Sequence, residues 1–336
     1  MQPSSAVADP IPQWQREFAE AVQQPEELLR LLELDPALLP AARRAAKLFP
    51  LRVPRGFVAR MRRGDLDDPL LRQVLPLDLE EAETPGFGQD PVGDLNAMAA
   101  EGVLHKYHGR VLLIATGACA IHCRYCFRRH FPYADANAAA GAWRTALDYV
   151  RRSPDVQEVI LSGGDPLALS DRRLAELAAA LAEIPHVTRL RIHSRLPVVL
   201  PSRITEQLLD WFTGSRLQPV LVLHANHAQE LDESVAEALQ RLRRRGVLLL
   251  NQAVLLRGVN DRADALVELS ERLGRLGVQP YYLHLLDRVQ GAAHFEVAEE
   301  TALALMTELS ARLPGYLVPK LAREEAGRPS KTVLRA

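Results

Sequence analysis

The sequence predicts an α/β protein in which an open, partial (β/α)6 barrel follows a helical N-terminal extension. From residue 110 onwards, short and continuously apolar runs alternate with amphipathic helical segments, which is typical of parallel strands joined by right-handed crossovers. Six such strand–helix units can be counted, too few for a closed eight-stranded barrel. The polar residues that could take part in catalysis or binding follow the strands, at the end of a barrel where active sites form.

The individual elements follow from the spacing of apolar residues. A largely helical pattern runs from Trp14 to about Arg63, and residues 1–10, mostly small or polar, are expected to be disordered. We divide the chain into a helical region (1–100), the barrel core (101–296) and a C-terminal helix with a late lysine segment (297–336). The predicted strands are 110–115, 158–162, 190–193, 220–224, 248–254 and 280–284. The predicted helices are 143–152, 171–182, 205–213, 230–245, 262–276 and 298–312.

Composition excludes several classes of function. The 336 residues are 48% hydrophobic and 25% charged with a formal net charge of -1, so no overall field favours nucleic acid or an anionic membrane. The longest apolar runs are too short to span a bilayer, and the N-terminus lacks a signal-peptide pattern. The basic run 241–245 is expected to end a helix, where cations complement the dipole, rather than to bind RNA. A cytoplasmic protein is therefore expected.

The only three cysteines, Cys119, Cys123 and Cys126, lie within eight residues with the spacing Cys-x3-Cys-x2-Cys. An odd count at this spacing argues against a disulfide framework. A structural zinc site completed by His122 or His130 is one interpretation, although such sites usually use two separated cysteine pairs. Clustered buried thiols are another. Three thiolates would leave a four-coordinate centre with one open position, where a small molecule can bind and be activated.

A glycine turn follows the second predicted strand, in Ser162-Gly163-Gly164-Asp165-Pro166. Its glycines serve either a tight turn or the close approach of a ligand, and this segment alone does not distinguish the two. The turn offers carbonyl and carboxylate acceptors, which suit an ammonium group.

The cysteine spacing, followed by aromatic and arginine residues, resembles the cluster loop of radical S-adenosylmethionine enzymes. From about residue 50 to residue 333, the chain resembles the lysine 2,3-aminomutase family, in particular the branch that makes β-lysine for elongation factor P. The segments that carry this resemblance are 68–73, 104–107, 123–133, 192–197, 280–284, 289–295 and 315–324. The barrel expected is therefore of the radical SAM type.

The resemblance implies three cofactors. The three cysteines would hold a [4Fe-4S] cluster whose remaining iron binds S-adenosylmethionine. Gly163, Gly164 and Asp165 match the segment that contacts the methionine ammonium, and His224 and Gln252 match positions near the same cofactor. The third cofactor is pyridoxal phosphate.

The resemblance also assigns the pyridoxal phosphate site. Lys331, which composition alone would make a solvated tail lysine, occupies the place of the lysine that binds pyridoxal phosphate covalently. Lys106, Tyr107 and Arg110 match the segment that binds the phosphate of this cofactor. Lys106 departs from the arginine of the enzymes that act in free-lysine catabolism.

Three further residues match the family's substrate contacts. Arg128 matches the arginine that pairs with the substrate carboxylate, a task suited to its planar fork. Asp287 matches an acid that holds the distal ammonium of the substrate. The second such acid falls on Glu324, a longer side chain than in the free-lysine enzymes.

The implied activity is an isomerase that converts L-α-lysine to β-lysine, which passes to an elongation factor P ligase. An electron donor such as flavodoxin or ferredoxin would reduce the cluster. The chain ends soon after Lys331, as expected of a branch without the C-terminal extension of the catabolic enzymes. One alternative is a sister aminomutase acting on glutamate, against which the negative Asp287 argues. The other is a non-enzymatic iron–sulfur or zinc protein that binds a partner.

Overall fold

The structure, a computed structural model, describes residues 11–134 and 143–335. The disorder expected at residues 1–10 therefore concerns a segment outside the described residues. Within the described part of the chain, no helix is long and apolar enough to cross a membrane.

A ten-stranded sheet forms the centre of the molecule, and its strands neighbour one another in chain order. The strands are β1 (Met98–Ala100), β2 (Val103–Tyr107), β3 (Arg110–Thr116), β4 (Glu158–Gly163), β5 (Arg189–Ser194), β6 (Gln218–Leu223), β7 (Leu248–Val254), β8 (Gln279–His284), β9 (Lys320–Arg323) and β10 (Thr332–Val333). Strands β3 to β9 run parallel, whereas β1, β2 and β10 pair antiparallel at the two edges. The predicted α/β class and open barrel are confirmed.

All six predicted strands are present as β3 to β8, and four further strands were not predicted. β1 and β2 form a short hairpin before the barrel, and β9 adds a seventh parallel strand beside β8. These strands have three, five and four residues, too few to show a clear alternation in the sequence. β10 has only two residues, and pairing with β9 is what holds it.

The helices of the barrel pack outside the sheet through apolar faces repeated every three or four residues. In α7, for example, Leu174, Leu177, Ala178 and Leu181 are buried. The helices are α1 (Gln13–Ala19), α2 (Pro25–Leu31), α3 (Leu39–Leu48), α4 (Arg55–Val58), α5 (Pro69–Arg72), α6 (Arg144–Arg151), α7 (Asp171–Ala182), α8 (Leu196–Val199), α9 (Glu206–Thr213), α10 (Glu233–Arg244), α11 (Ala263–Arg275) and α12 (Glu299–Arg312).

Helix ends agree with the local sequence. The side chains of Thr205 and Asp232 accept hydrogen bonds from the backbone of α9 and α10 and so define where these helices begin. The basic run 241–245 coincides with the end of α10, as predicted, and Arg241 and Arg245 both pair with Glu206. These charges are therefore used within the fold.

The N-terminal region is a set of short helices that packs against loops of the barrel. Arg60 donates hydrogen bonds to the carbonyl oxygens of Val198 at 2.7 Å and Glu230 at 2.8 Å. The carbonyl of Gln73 accepts from the backbone N–H of Arg124, inside the cysteine loop, at 2.9 Å. This region therefore fixes the position of the cysteine loop.

The three predicted regions share one sheet. β1 lies before residue 101, and β9 and β10 lie after residue 296. The boundaries at 100 and 296 stay predictions.

Candidate active site

A cavity of about 720 Å³ opens at the carboxyl ends of the parallel strands and continues down the barrel. Every site residue predicted from the sequence lines it: Lys106, Tyr107, Arg110, Cys119, Cys123, Cys126, Arg128, Gly163, Gly164, Asp165, His224, Gln252, Asp287, Glu324 and Lys331. These residues come from two of the three predicted regions of the chain, 101–296 and 297–336. The parallel register places the carboxyl ends of β3 to β9 at one edge, which brings together the residues that follow these strands. Tyr107 and Arg110 instead pair with each other at the amino end of β3 and line the cavity there.

The cysteine loop follows β3, and the glycine turn after β4 packs directly against it. A Cβ on Gly164 would lie 2.5 Å from the carbonyl oxygen of Ala118, and one on Gly163 would lie 2.7 Å from that of Thr116. Gly163 also has a φ of +121°, a conformation that side chains rarely adopt. The two glycines are therefore required by the close approach of the chain's own backbone.

Asp165 uses its carboxylate to hold the turn after β5. It accepts from the backbone N–H of Leu167 at 3.0 Å, the hydroxyl of Ser194 at 2.8 Å, and the N–H groups of Arg195 at 2.8 Å and Leu196 at 3.2 Å. Burial raises its pKa to about 6 despite these donors. An ammonium group bound at this turn would therefore find its acceptors mainly among the backbone carbonyls.

The three thiols face a common space without meeting at one point. Among residues 11–134 and 143–335, no three His, Cys, Asp or Glu side chains stand close enough to hold a single metal ion. A [4Fe-4S] cluster takes one thiolate on each of several irons, so its thiols need not meet at a single metal position. Burial, and then the neighbouring Cys123, raises the pKa of Cys126 to about 11. Binding to iron deprotonates such thiols. The residues fit the cluster.

A chain of five alternating charges crosses the middle of the cavity: Arg128, Asp94, Lys106, Glu324 and Lys331. Asp94 accepts from Arg128 Nε at 2.7 Å and from Lys106 Nζ at 2.6 Å. Lys106 Nζ also lies 2.9 Å from Glu324, whose other oxygen pairs with Lys331. This charge chain connects the cysteine loop to the C-terminal hairpin.

The charge chain holds both of its carboxylates ionised. Burial opposes ionisation of Glu324, but Lys331 and Lys106 outweigh it and lower its pKa to about 2. Burial likewise opposes ionisation of Asp94, and Arg128 and Lys106 again lower the pKa. Arg128, Lys106 and Lys331, the three cations of the charge chain, thus each lie beside an ionised carboxylate in a region that largely excludes water.

Lys331 reaches the cavity through the hairpin of β9 and β10. Thr332 pairs with Arg323, so the two ends of the loop between them, Glu324 and Lys331, lie side by side. β9 in turn pairs with β8, where Ala322 is opposite His284. The late lysine is therefore part of the sheet edge.

Of the residues predicted to bind a phosphate group, Lys106 already pairs with acidic side chains, whereas Arg110 does not. The ammonium group of Lys106 donates hydrogen bonds to Asp94, to Glu324 and, at 2.8 Å, to the carbonyl oxygen of Val92. Arg110 forms no ion pair within the described ranges, and its guanidinium carbon lies 4.7 Å from the centre of the Tyr107 ring. Arg110 is thus the cation available to a phosphate group in this arrangement.

Asp287 and Arg128 present unused polar groups to the cavity. In the part of the chain that the structure describes, the Asp287 side chain has no hydrogen bond or ion pair, and burial raises its pKa to about 7. Arg128 donates through Nε to Asp94 and through Nη1 to Ser162 at 3.1 Å, and its Nη2 atom has no partner within residues 11–134 and 143–335. The cavity therefore offers an acceptor for a cation and a donor for an anion.

Arg191, His193 and Asp94 also line the cavity, and the sequence analysis assigned no role to them. Arg191 and His193 point into the barrel from β5, between the buried Leu190, Ile192 and Ser194. The Nε2 atom of His193 has no hydrogen-bond partner among the residues that the structure describes. Polar residues at every second position of this strand were a usable signal. Asp94 lies in an irregular loop, where no periodicity could identify it.

Comparison with known proteins agrees with this geometry. A model of the radical SAM superfamily matches residues 113–270. An L-lysine 2,3-aminomutase of Escherichia coli (strain K12) is 55% identical over 96% of this chain and 94% of its own length. The L-lysine 2,3-aminomutases of Haemophilus influenzae and Clostridium subterminale are 48% and 34% identical, each over 95% of this chain, and over 95% and 77% of their own lengths. The chain belongs to the lysine 2,3-aminomutase family.

Membership of the lysine 2,3-aminomutase family confirms the three predicted cofactors: a [4Fe-4S] cluster, S-adenosylmethionine and pyridoxal phosphate. His224 suits a place beside a positively charged sulfonium. Burial, followed by Arg195 and Lys331, lowers its pKa to about 4, so the imidazole is neutral at neutral pH. The roles of the individual residues stay predictions.

Proposed function

We propose that this protein converts L-α-lysine to β-lysine. The observation that carries the proposal is the single cavity, in which the three thiols, Lys331, Asp287 and the free edge of Arg128 converge. A zwitterionic amino acid with a distal ammonium needs one anion-binding and one cation-binding group, and the cavity supplies both. Apolar side chains, among them Leu112, Ile160 and Val254, also line the cavity and would help to exclude water from the reacting carbons.

The cofactors supply the difficult chemistry. When bound, the reduced cluster with S-adenosylmethionine removes and returns a hydrogen atom, and pyridoxal phosphate carries the migrating amino group. Cys119, Cys123 and Cys126 would hold the cluster, and Lys331 would hold pyridoxal phosphate. Arg110, which has no ion pair in the described ranges, would bind its phosphate. The protein thus positions two cofactors against one substrate.

Substrate orientation follows from the charges. Arg128 would bind the α-carboxylate through its free Nη2, while Asp94 keeps the guanidinium plane fixed. Asp287 would accept the distal ammonium. Glu324 would be its second acceptor, because its carboxylate lines the same cavity and already pairs there with the cations Lys106 and Lys331.

Glutamate is the competing substrate, and the charges disfavour it. Its side-chain carboxylate would face Asp287 and Glu324, two acids of like charge. The discriminating experiment is anaerobic incubation of the reconstituted protein with lysine or glutamate, followed by mass spectrometry of the amino acids. β-Lysine formed from lysine alone supports the proposal, whereas turnover of glutamate alone would refute it.

The protein that receives β-lysine is a second part of the proposed function. We infer that β-lysine passes to an elongation factor P ligase, because segments 123–133 and 315–324 resemble that branch of the family. The electron donor would be a flavodoxin or ferredoxin, and a protein with reduced thiols would work in the cytoplasm. Offering the purified product and α-lysine to the ligase in competition tests this inference. Preferential attachment of α-lysine would contradict it.

A further inference from the structure

Arg195 points from the turn after β5 directly at one of the three cysteines. Its Nη1 atom donates to the sulfur of Cys123 at 2.7 Å. Its Nη2 atom donates to Gln73 Oε1 at 2.6 Å and to Glu230 at 2.9 Å. Hydrogen bonds to a cysteine sulfur are a main determinant of the reduction potential of an iron–sulfur cluster.

The surroundings of Arg195 allow its guanidinium one orientation. Gln73 and Glu230 are both fully buried, and Gln73 Nε2 donates back to Glu230 at 3.2 Å. The guanidinium carbon lies 5.5 Å from the ring centre of Phe57 and 5.8 Å from that of Tyr125. With two acceptors and two aromatic rings around it, the remaining N–H edge is directed at the sulfur.

The anchors themselves are also fixed. Glu230 accepts from the backbone N–H groups of Asn226 at 2.8 Å and His227 at 3.0 Å. Asp165 accepts from the backbone N–H of Arg195 at 2.8 Å. The donor to Cys123 is thus held from the turn after β4, the loop after β6 and the N-terminal region, which are distant in sequence.

We propose that Arg195 is a positioning residue for the iron–sulfur cluster, which orients the Cys123 thiolate and raises the reduction potential of the bound cluster. This inference rests on the proposed function, because it requires the cysteines to hold a cluster. An N–H donor withdraws electron density from the ligand sulfur and stabilises the reduced, more negative form. In the affected step the [4Fe-4S]2+ cluster takes one electron from a one-electron reductant and becomes [4Fe-4S]1+, with no bond formed or broken.

Glu230 is expected to shift the reduction potential of the cluster in the direction opposite to Arg195. It neutralises Arg195 and adds a negative charge close to the cluster, so it opposes reduction, whereas the N–H···S bond favours it. The two members of one buried ion pair are thus expected to shift the potential in opposite directions. Loosening of the fold would shift both in the same direction.

The experiment is anaerobic potentiometry of the reconstituted cluster, with dithionite as reductant and the electron paramagnetic resonance signal of the reduced cluster as readout. Arg195→Met combined with Glu230→Gln removes both charges together, so no unpaired charge is left buried. The opposite charges of the pair largely offset each other, so the lost N–H···S bond decides the sign, and we expect a potential more negative than that of the wild type. Arg195→Lys keeps the charge but loses the fork that reaches Cys123 and Glu230 together, so a smaller negative shift is expected. Glu230→Gln alone should shift the potential to more positive values.

A second buried arginine provides the matched control. Arg203 is fully buried and pairs with Asp171 at 2.8 Å, but it donates to no cysteine. Arg203→Met combined with Asp171→Asn therefore removes an equivalent buried pair and should leave the potential unchanged.

The outcomes separate this inference from the proposed function. A cluster with the same potential in the wild type and in all the Arg195 and Glu230 variants would overturn this inference alone. An equal negative shift in the Arg203 control would also overturn it. A wild-type protein that binds no cluster would overturn both the inference and the proposed function.

Discussion

Asp94→Asn tests whether the charge chain holds the active site together. Asp94 is 2% exposed and accepts from Arg128 and Lys106, so its carboxylate balances two buried cations. Removing one member of a buried ion pair costs about 3 to 5 kcal/mol. Lys106 keeps Glu324 as a partner, so we expect the lower end, about 3 kcal/mol of unfolding free energy. Urea unfolding followed by circular dichroism measures this loss.

The pH dependence of this loss gives a second check. The pKa of Asp94 is lowered in the folded protein, because Arg128 and Lys106 outweigh the effect of burial. Its contribution to stability is therefore complete above the ordinary carboxyl pKa of about 4 and is lost as the pH falls through the lowered value. The difference between wild type and variant should accordingly be full at pH 7 and shrink below about pH 4.

An exposed ion pair supplies the control for the same substitution. Asp67 pairs with Arg72 at 2.5 Å, and its side chain is 82% exposed. Asp67→Asn should cost less than about 1 kcal/mol, because solvent screens such pairs. Equal losses for Asp94→Asn and Asp67→Asn, or an Asp94→Asn loss that does not change with pH, would refute the reasoning.

Three further outcomes are expected. Lys331→Ala should abolish the covalent attachment of pyridoxal phosphate that borohydride reduction traps, and peptide mass spectrometry would reveal any other attachment site. The KM for lysine should rise as the pH falls below about 7, by up to about tenfold per pH unit. The reason is that burial raises the pKa of Asp287 to about 7, and the neutral carboxyl group cannot form an ion pair with an ammonium group. The substitution Asp287→Asn should remove this pH dependence. Gly164→Ala should reduce the iron and sulfide content after reconstitution, because its Cβ would lie 2.5 Å from the Ala118 carbonyl oxygen; unchanged content would contradict this reading.

The barrel and the position of its site could be predicted from the sequence because both depend on local patterns. Six apolar runs alternate with amphipathic helices, and parallel strands place everything that follows them at one edge. Cys119, Gly163 and His224 each come after or at the end of a strand, so the pattern places them at this edge, whereas their roles toward the cofactors came from the resemblance. The role of Lys331 came from the resemblance alone, since a two-residue strand leaves no periodic signal.

Side-chain contacts between segments that are distant in the sequence could not be predicted from the sequence. Lys106 was expected to meet a phosphate, yet its position beside Asp94 and Glu324 depends on a loop and a hairpin that approach from opposite edges of the sheet. The contact between Arg195 and Cys123 depends likewise on anchors at positions 73 and 230. Such geometry arises only when the chain has folded.

The central claim is that one cavity brings the cysteine site and Lys331 to a single lysine molecule. The most direct test is anaerobic incubation of the reconstituted protein with pyridoxal phosphate, S-adenosylmethionine, dithionite and lysine, with β-lysine measured by mass spectrometry. We predict β-lysine from the wild type and none from Lys331→Ala or Cys123→Ala. Equal β-lysine from either variant, or none from a wild type that carries both its cluster and pyridoxal phosphate, would contradict the account.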